Sequence, residues 1–282
     1  IYFYNMTKDE LQFLLKKYNL TPNKIRGQNF LVSDEVLDDI IVGSQVNDTD
    51  LVIEVGAGLG ALTQKLTENA EQVVSLEIDK NLARPLEKIV NLTDNLEIIW
   101  QDILSFSEGQ VADVLSKYKK SKYKIIANIP YYLTGKFIQK FLTIKYKPSN
   151  MTLMVQKEVA ERIIVGDGKH SKLSLSVALY AESKIVRIVE KNNFYPAPKI
   201  DSAIIQIDNI KNWDYDVEEK KVWQLIKLGF ASKRKKLINN LANEKSFDKD
   251  KLKKVFEKLD LDETIRAEKI TVENWLKLAK NL

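Results

Sequence analysis

Three groups of residues in this chain have the types and spacings that do chemistry. The first is Glu54-Val55-Gly56-Ala57-Gly58-Leu59-Gly60-Ala61, which follows the apolar run Leu51-Val52-Ile53. Glycines at a strand-to-helix turn let backbone N–H groups approach a nucleotide-like ligand, because no Cβ intervenes and positive φ is open. The second is Glu77-Ile78-Asp79, with Glu77 lying 21 residues after Gly56. A carboxylate at that offset reaches a ribose diol and accepts its hydroxyl hydrogen bonds. The third is Asn128-Ile129-Pro130-Tyr131. Here the Asn128 side-chain oxygen and the Ile129 carbonyl are placed to accept both N–H bonds of an aromatic exocyclic amine. Such an amine is a poor nucleophile because its lone pair is delocalised into the ring. Two acceptors aim that pair at an electrophilic methyl group and favour a tetrahedral nitrogen. Pro130 fixes the turn so that the acceptors converge, and Tyr131 offers a ring to stack on an unstacked base. No strong base is needed, since the nitrogen becomes acidic as the methyl group transfers and sheds its proton to water.

The first two groups suit NAD and S-adenosyl-L-methionine alike. Gly56-x-Gly58-x-x-Ala61 satisfies the loose dinucleotide fingerprint, so a dehydrogenase stays open at this point. Against it, no residue pair stands out as a proton relay. The single histidine, His170, lies in the polar stretch Gly166-Asp167-Gly168-Lys169-His170-Ser171 and reads as a solvated loop residue. With 282 residues, no cysteine and one histidine, disulfides, thiolate metal sites and cysteine nucleophiles are excluded. A zinc site or a serine–histidine triad is argued against, and no metal is expected. No apolar run is long enough to span a bilayer and no signal pattern is present, so a soluble, cytoplasmic protein without a membrane partner is expected. Ile1–Asn5 reads as a variable tail ahead of a native start at Met6.

The elements that must position these groups alternate. Strands are expected at Leu51–Ile53, Gln72–Asp79, Leu96–Trp100, Tyr123–Ala127 and Met151–Val155. The helical spacings between them predict helices to about Asn69, over Leu82–Ile89, Gly109–Tyr118, Thr134–Ile144 and Lys157–Ile164. Upstream, Asp9–Tyr18 has one apolar face, the basic stretch Lys24 to Leu31 follows, and Ser33 is a good N-cap. Ser174–Tyr180 fits either helix or strand. Lys184–Val189 and Ser202–Ile207 alternate well enough for an antiparallel edge. This is an α/β fold, a doubly wound sheet with ligands at the carboxyl ends of its strands. The unusual segments Gly56–Gly60, Glu77–Asp79, Asp102 and Asn128–Tyr131 all sit at such ends. Beyond about Asp208 only helical periods remain, so the expected division is a Rossmann-like domain over 1–208 and a small helical domain over 209–282. Lys211–Leu282 carries 18 Lys/Arg against 13 Asp/Glu, which accounts for the whole net charge of +5. That surplus fits a polyanionic partner such as nucleic acid, and equally a lysine-rich solvated surface. Lys233-Arg234-Lys235-Lys236, just after Phe230, is the candidate phosphate-contacting run.

Taken together, Gln28-Asn29-Phe30-Leu31, Glu54 to Gly60, Glu77-Ile78-Asp79, Gln101-Asp102, Asn128-Ile129-Pro130-Tyr131-Tyr132 and Phe194-Tyr195-Pro196-Ala197-Pro198-Lys199-Ile200-Asp201-Ser202 resemble the ribosomal RNA adenine N6-dimethyltransferases. The motifs are separate, collinear and spread over about residues 20 to 240. The Phe-x-Pro-x-Pro-Lys-x-Asp-Ser segment looks more like the bacterial small-subunit enzymes than the related erythromycin-resistance methylases. The resemblance implies a Rossmann-like methyltransferase sheet with a small C-terminal helical domain, S-adenosyl-L-methionine as cofactor, and N6,N6-dimethylation of two adjacent adenines near the 3′ end of small-subunit ribosomal RNA. Its partner would be that RNA within an immature 30S subunit, and the enzyme would be a monomer with a role in subunit maturation. By motif matching, Gln28, Asn29, Leu31, Gly56, Gly58, Glu77, Ile78, Asp102, Ile103 and Asn128 would bind the cofactor. Glu77 would hold the ribose and Asp102 the adenine amine. Asn128, Ile129, Pro130, Tyr131 and Phe194 would form the catalytic set, with Phe194 stacking on the target base opposite Tyr131. Ile129 stands where the family often has leucine, which matters little if only its carbonyl acts.

Overall fold

The computed structural model of the chain describes residues 6–23, 27–164, 168–243 and 247–282. The expected tail at Ile1–Asn5, Lys24-Ile25-Arg26 of the basic stretch and Gly166-Asp167 of the histidine loop lie outside the described residues. The strands are β1 (Phe30–Leu31), β2 (Leu51–Val55), β3 (Gln72–Glu77), β4 (Leu96–Trp100), β5 (Lys124–Asn128), β6 (Asn150–Gln156), β7 (Glu182–Val189), β8 (Phe194–Tyr195) and β9 (Ser202–Asp208). The helices are α1 (Lys8–Lys17), α2 (Asp34–Ser44), α3 (Ala61–Asn69), α4 (Ala83–Val90), α5 (Glu108–Lys117), α6 (Thr134–Thr143), α7 (Lys157–Ile164) and α8 (Lys172–Tyr180). They continue as α9 (Glu219–Gly229), α10 (Leu237–Leu241), α11 (Lys249–Lys258) and α12 (Val272–Asn281).

Seven strands form one sheet in the order β4-β3-β2-β5-β6-β9-β7. The first five are parallel, and β9 runs antiparallel to both β6 and β7. Strands buried on both faces read as continuous apolar runs, and every residue of β2 is buried. The strand order reverses between β2 and β5, so a crevice opens beyond their carboxyl ends. Val55 pairs with Leu76 on one side and Ala127 on the other, which brings the three chemistry-bearing turns together. The turn after β2 needs glycine. Gly60, the N-cap of α3, has φ +87°, and a Cβ there would lie 2.0 Å from Ile89 Cδ1.

A second sheet has two strands, β1 and β8, paired antiparallel with Phe30 opposite Tyr195 and Leu31 opposite Phe194. It draws the segment before Ser33 onto the sheet unit. Ser33 then caps α2, accepting the Val36 N–H at 3.4 Å.

The chain divides into two compact units, Ile1–Ala160 with Glu182–Ile210, and Glu161–Ala181 with Lys211–Leu282. The helical unit thus takes in α8, which the expected boundary at 208 assigned to the sheet. The residues of α8 explain this. Ser171 and Ser174 close a capping box at its start. Within the helical unit the Tyr180 hydroxyl donates to Glu219 at 2.5 Å and accepts from Trp223 Nε1 at 3.0 Å. The rest of that unit packs α9 against α10 and α12, with the Phe230 and Trp275 rings stacked at 6.2 Å. Among the described residues no helix is long and apolar enough to cross a membrane.

Candidate active site

A cavity lies at the carboxyl ends of β2, β3 and β5, and its wall includes Gln28, Asn29, Leu31, Gly56, Gly58, Glu77, Ile78, Asp102, Ile103, Asn128, Ile129, Pro130 and Tyr131. Met6, Phe30, Gln101 and Tyr132 also line it. Tyr132 is 65 % exposed. Motif matching does not single it out, although a second aromatic after Tyr131 was visible.

Glu77 sits at the end of β3 and is 5 % exposed. Its Oε2 accepts the Gly58 N–H at 3.1 Å, and its Oε1 accepts those of Ile78 and Asp79, both at 2.8 Å. Burial raises its pKa against the pull of these donors. A carboxylate has about four lone-pair sites, so roughly one is left for a ligand hydroxyl. Glu77 therefore both ties the glycine turn to β3 and faces the cavity.

Beneath it Glu54 is fully buried in β2. Thr63 Oγ1 donates to its Oε2 at 2.8 Å, while Oε1 has no partner among the described residues. Ser75 lies near enough to favour the charged form, yet its hydroxyl makes no bond of good geometry. Desolvation dominates and pushes the carboxyl up to about 7 from an ordinary 4.5, with the Glu77 charge adding to the rise.

Asn128 ends β5. Its Nδ2 donates to the Asn29 carbonyl at 3.2 Å. A carbonyl only accepts, so the amide nitrogen must face it and Oδ1 is turned the other way. Downstream, Leu133 N–H bonds to the Pro130 carbonyl at 2.9 Å, and Thr134 Oγ1 to that of Tyr131 at 3.1 Å, closing the turn into α6. The half-buried Tyr131 hydroxyl lies 2.7 Å from Ser202 Oγ on β9, which holds the ring in place, and burial raises its pKa. At the end of β4, Asp102 Oδ1 accepts the Leu104 N–H at 2.8 Å, capping a short turn over Ile103–Ser105.

Two expected residues are placed differently. Gln28 lines the cavity, with Nε2 donating to Asp79 at 2.9 Å and Oε1 accepting the Asn23 N–H at 2.8 Å, which uses one of its two N–H donors. It clasps the segment before β1 to the end of β3. Phe194 is a correction. It is 3 % exposed, belongs to the core cluster with Leu31 and Val189, and does not line the cavity.

Lys233, Arg234, Lys235 and Lys236 lie in the helical unit and are all exposed. Their turn is braced by backbone: Lys235 N–H bonds to Ser232 at 3.2 Å and Leu237 N–H to Ile265 at 2.8 Å. Asn240 Nδ2 donates to the carbonyls of Gly229 at 2.6 Å and Ser232 at 3.0 Å. His170 does not line the cavity; its N–H bonds to the Glu268 carbonyl at 2.7 Å, and burial lowers its pKa.

A family model described as ribosomal RNA adenine dimethylase matches residues 19–282. Ribosomal RNA small subunit methyltransferase A of Alkaliphilus oremlandii is 36 % identical over 273 residues, covering 95 % of this chain and 94 % of that protein. The protein of the same name from Clostridioides difficile is 34 % identical over 275 residues, covering 96 % and 93 %. Among solved structures, a dimethyladenosine transferase from Plasmodium falciparum superposes with a TM-score of 0.73 at 26 % identity, over 88 % of this chain and 95 % of that one. The 23S rRNA methyltransferase ErmE does so with a TM-score of 0.69 at 22 % identity, over 90 % and 99 %, a likeness of fold.

Proposed function

The chain belongs to the ribosomal RNA adenine dimethylase family, and from that membership we propose that it is the family's small-subunit enzyme. It is an S-adenosylmethionine-dependent methyltransferase of adenine in ribosomal RNA. The hydride-transfer reading left open by the glycine fingerprint is dropped. The finer reading is N6,N6-dimethylation of two adjacent adenines near the 3′ end of small-subunit RNA. It would act as a cytoplasmic monomer on an immature subunit, in the service of that subunit's maturation.

The observation that carries this reading is the orientation of Asn128. With Nδ2 committed to Asn29, Oδ1 is the atom left to accept an N–H from a target amine. The residues around it fit the cofactor: Glu77 retains a lone pair for a ribose hydroxyl, and Leu104 engages only one Asp102 oxygen, leaving the other for the adenine amine. Gly56, with φ +80°, leaves open the space where a Cβ would stand 3.7 Å from the Asn128 carbonyl. Gln28, Asn29, Leu31, Gly58, Ile78 and Ile103 complete the proposed cofactor wall. S-adenosylmethionine supplies an electrophilic methyl group on sulfur. Asn128 Oδ1 and the Ile129 carbonyl hold the two N–H bonds of the acceptor amine, Pro130 sets their angle, and Tyr131 takes the base face. As the nitrogen gains charge, these acceptors bind it more strongly than in the ground state. Lys233, Arg234, Lys235 and Lys236 are proposed to contact RNA phosphates.

The test is methyl transfer from tritiated S-adenosylmethionine to small subunits lacking the modification, followed by mapping of the label. N6,N6-dimethyladenine at two adjacent positions near the RNA 3′ end is the expected product. Label confined to other bases would reject the proposal.

A further inference from the structure

The cofactor wall and the catalytic turn come from different strands, so something must hold them in register. Lys140, on α6, projects to the turn after β4. Its ammonium donates to three backbone carbonyls there: Ile103 at 3.0 Å, Leu104 at 2.8 Å and Phe106 at 2.6 Å. A lysine ammonium has three donors. All three are spent on this one turn. The turn begins at Asp102, whose Oδ1 it occupies through Leu104 N–H. At its other end, α6 starts directly after Tyr131–Leu133, with Thr134 Oγ1 bonded to the Tyr131 carbonyl at 3.1 Å. One helix therefore grips both turns.

We propose that Lys140 is a positioning residue for cofactor recognition: it locks the Asp102 turn against the helix that carries the Asn128–Tyr131 turn, and so fixes the carboxylate that reads the purine amine. This rests on the reading that Asp102 takes that amine. Two further observations agree with it. Burial lowers the lysine's pKa while the Asp102 charge draws it up, so the two groups feel one another. The Lys140 ammonium also stands over the Phe141 ring, with Nζ 5.7 Å from its centroid, a cation–π contact that favours this placement. Arginine is a poor substitute, since its planar fork does not match three carbonyls converging on one point.

The experiment is calorimetric binding of S-adenosylhomocysteine and S-inosylhomocysteine, which differ at the purine 6-position. An amine donates to Asp102, whereas the inosine oxygen meets the carboxylate with a lone pair. The wild type should prefer the adenosyl compound by roughly tenfold or more, the scale of one charge-assisted hydrogen bond. In Lys140→Met the adenosyl compound should weaken by about tenfold while the inosyl compound changes little, bringing the preference to within about threefold. A merely structural loss would weaken both alike. An unchanged preference in a folded Lys140→Met variant overturns the proposal. If that variant does not fold, Lys140→Gln, which keeps one donor group, takes its place, and a wild-type preference there overturns it equally. A wild type that shows no preference, with Asp102→Asn no different, overturns the Asp102 reading itself and the proposal with it.

Discussion

The cavity and the basic turn of the helical unit use charge in opposite ways. In the cavity each polar group has defined partners. Glu77 accepts three N–H bonds, Asn128 is oriented by Asn29, and Asp102 caps its own turn. They are buried or half-buried, so each interaction is screened less than one in water. Lys233 to Lys236 are exposed and their turn is braced through its backbone, with Asp262 near the Lys236 charge. Their charges stand in water and are screened within about a Debye length. The difference teaches where each should register. Cavity groups should change a rate or a cofactor affinity by large factors that salt does not alter. Turn groups should change RNA affinity by modest, additive, salt-dependent steps.

The largest expected effect is on the chemical step. Asn128→Ala should lower kcat by at least about 10²-fold, the scale of losing one preorganised polar group, while RNA affinity stays near that of the wild type. Rapid-quench kinetics measure this.

Glu54 gives a pH signature next in size. Its folded pKa of about 7 stands above the ordinary 4.5, so the native state holds a proton that the unfolded state releases. Its contribution is fully present below about 4.5 and is lost as pH rises to about 7. Glu54→Gln removes this loss and gives the Ser75 hydroxyl a donor. The variant should match the wild type near pH 4 and exceed it by up to about 3 kcal/mol near pH 8. Denaturant melts at the two pH values check this, and a difference that does not grow with pH would contradict the buried-proton account.

Glu77→Ala should weaken S-adenosylmethionine by roughly 1.5–3 kcal/mol. Calorimetric titration returning the wild-type affinity would remove Glu77 from the proposed cofactor set. The smallest effect is expected in the turn. Replacing Lys233 and Lys235 by Gln should flatten the slope of log K against log[salt] for RNA by roughly 1–2 units. An unchanged slope in a folded variant would put the phosphate contacts elsewhere.

Most of the sheet was legible because parallel strands buried on both faces spell themselves as apolar runs, as Leu51–Ile53 and Met151–Val155 do. The strand ends carried the site for the same reason. What the sequence hid was set by contacts between distant residues. β1 and β8 are two residues each, too short for any period, and their pairing across more than 160 positions turns Phe194 into the core. α8 alternates Leu173, Leu175, Val177 and Leu179 like a strand. It is nonetheless a helix, buried on nearly every side, so no polar face betrays its period. The Ser171–Ser174 capping box was the available signal. Gln28 had the right neighbours, but nothing local says that Asp79 and Asn23 engage its amide. Lys140 looked like any surface lysine of a helix, since its three acceptors belong to a turn more than 30 residues away.

The central claim is that the cavity performs the chemistry and the basic turn only holds the RNA. Single-turnover methylation of unmodified small subunits, titrated with enzyme at saturating S-adenosylmethionine and at two salt concentrations, tests it directly. Asn128→Ala should show a saturated rate at least about 10²-fold down at both salt concentrations, with half-saturation near that of the wild type. The Lys233/Lys235 variant should reach the wild-type saturated rate and need more enzyme to do so, increasingly at the higher salt. A near-native saturated rate for Asn128→Ala on both adenines, or a lowered saturated rate for the lysine variant, would contradict the account.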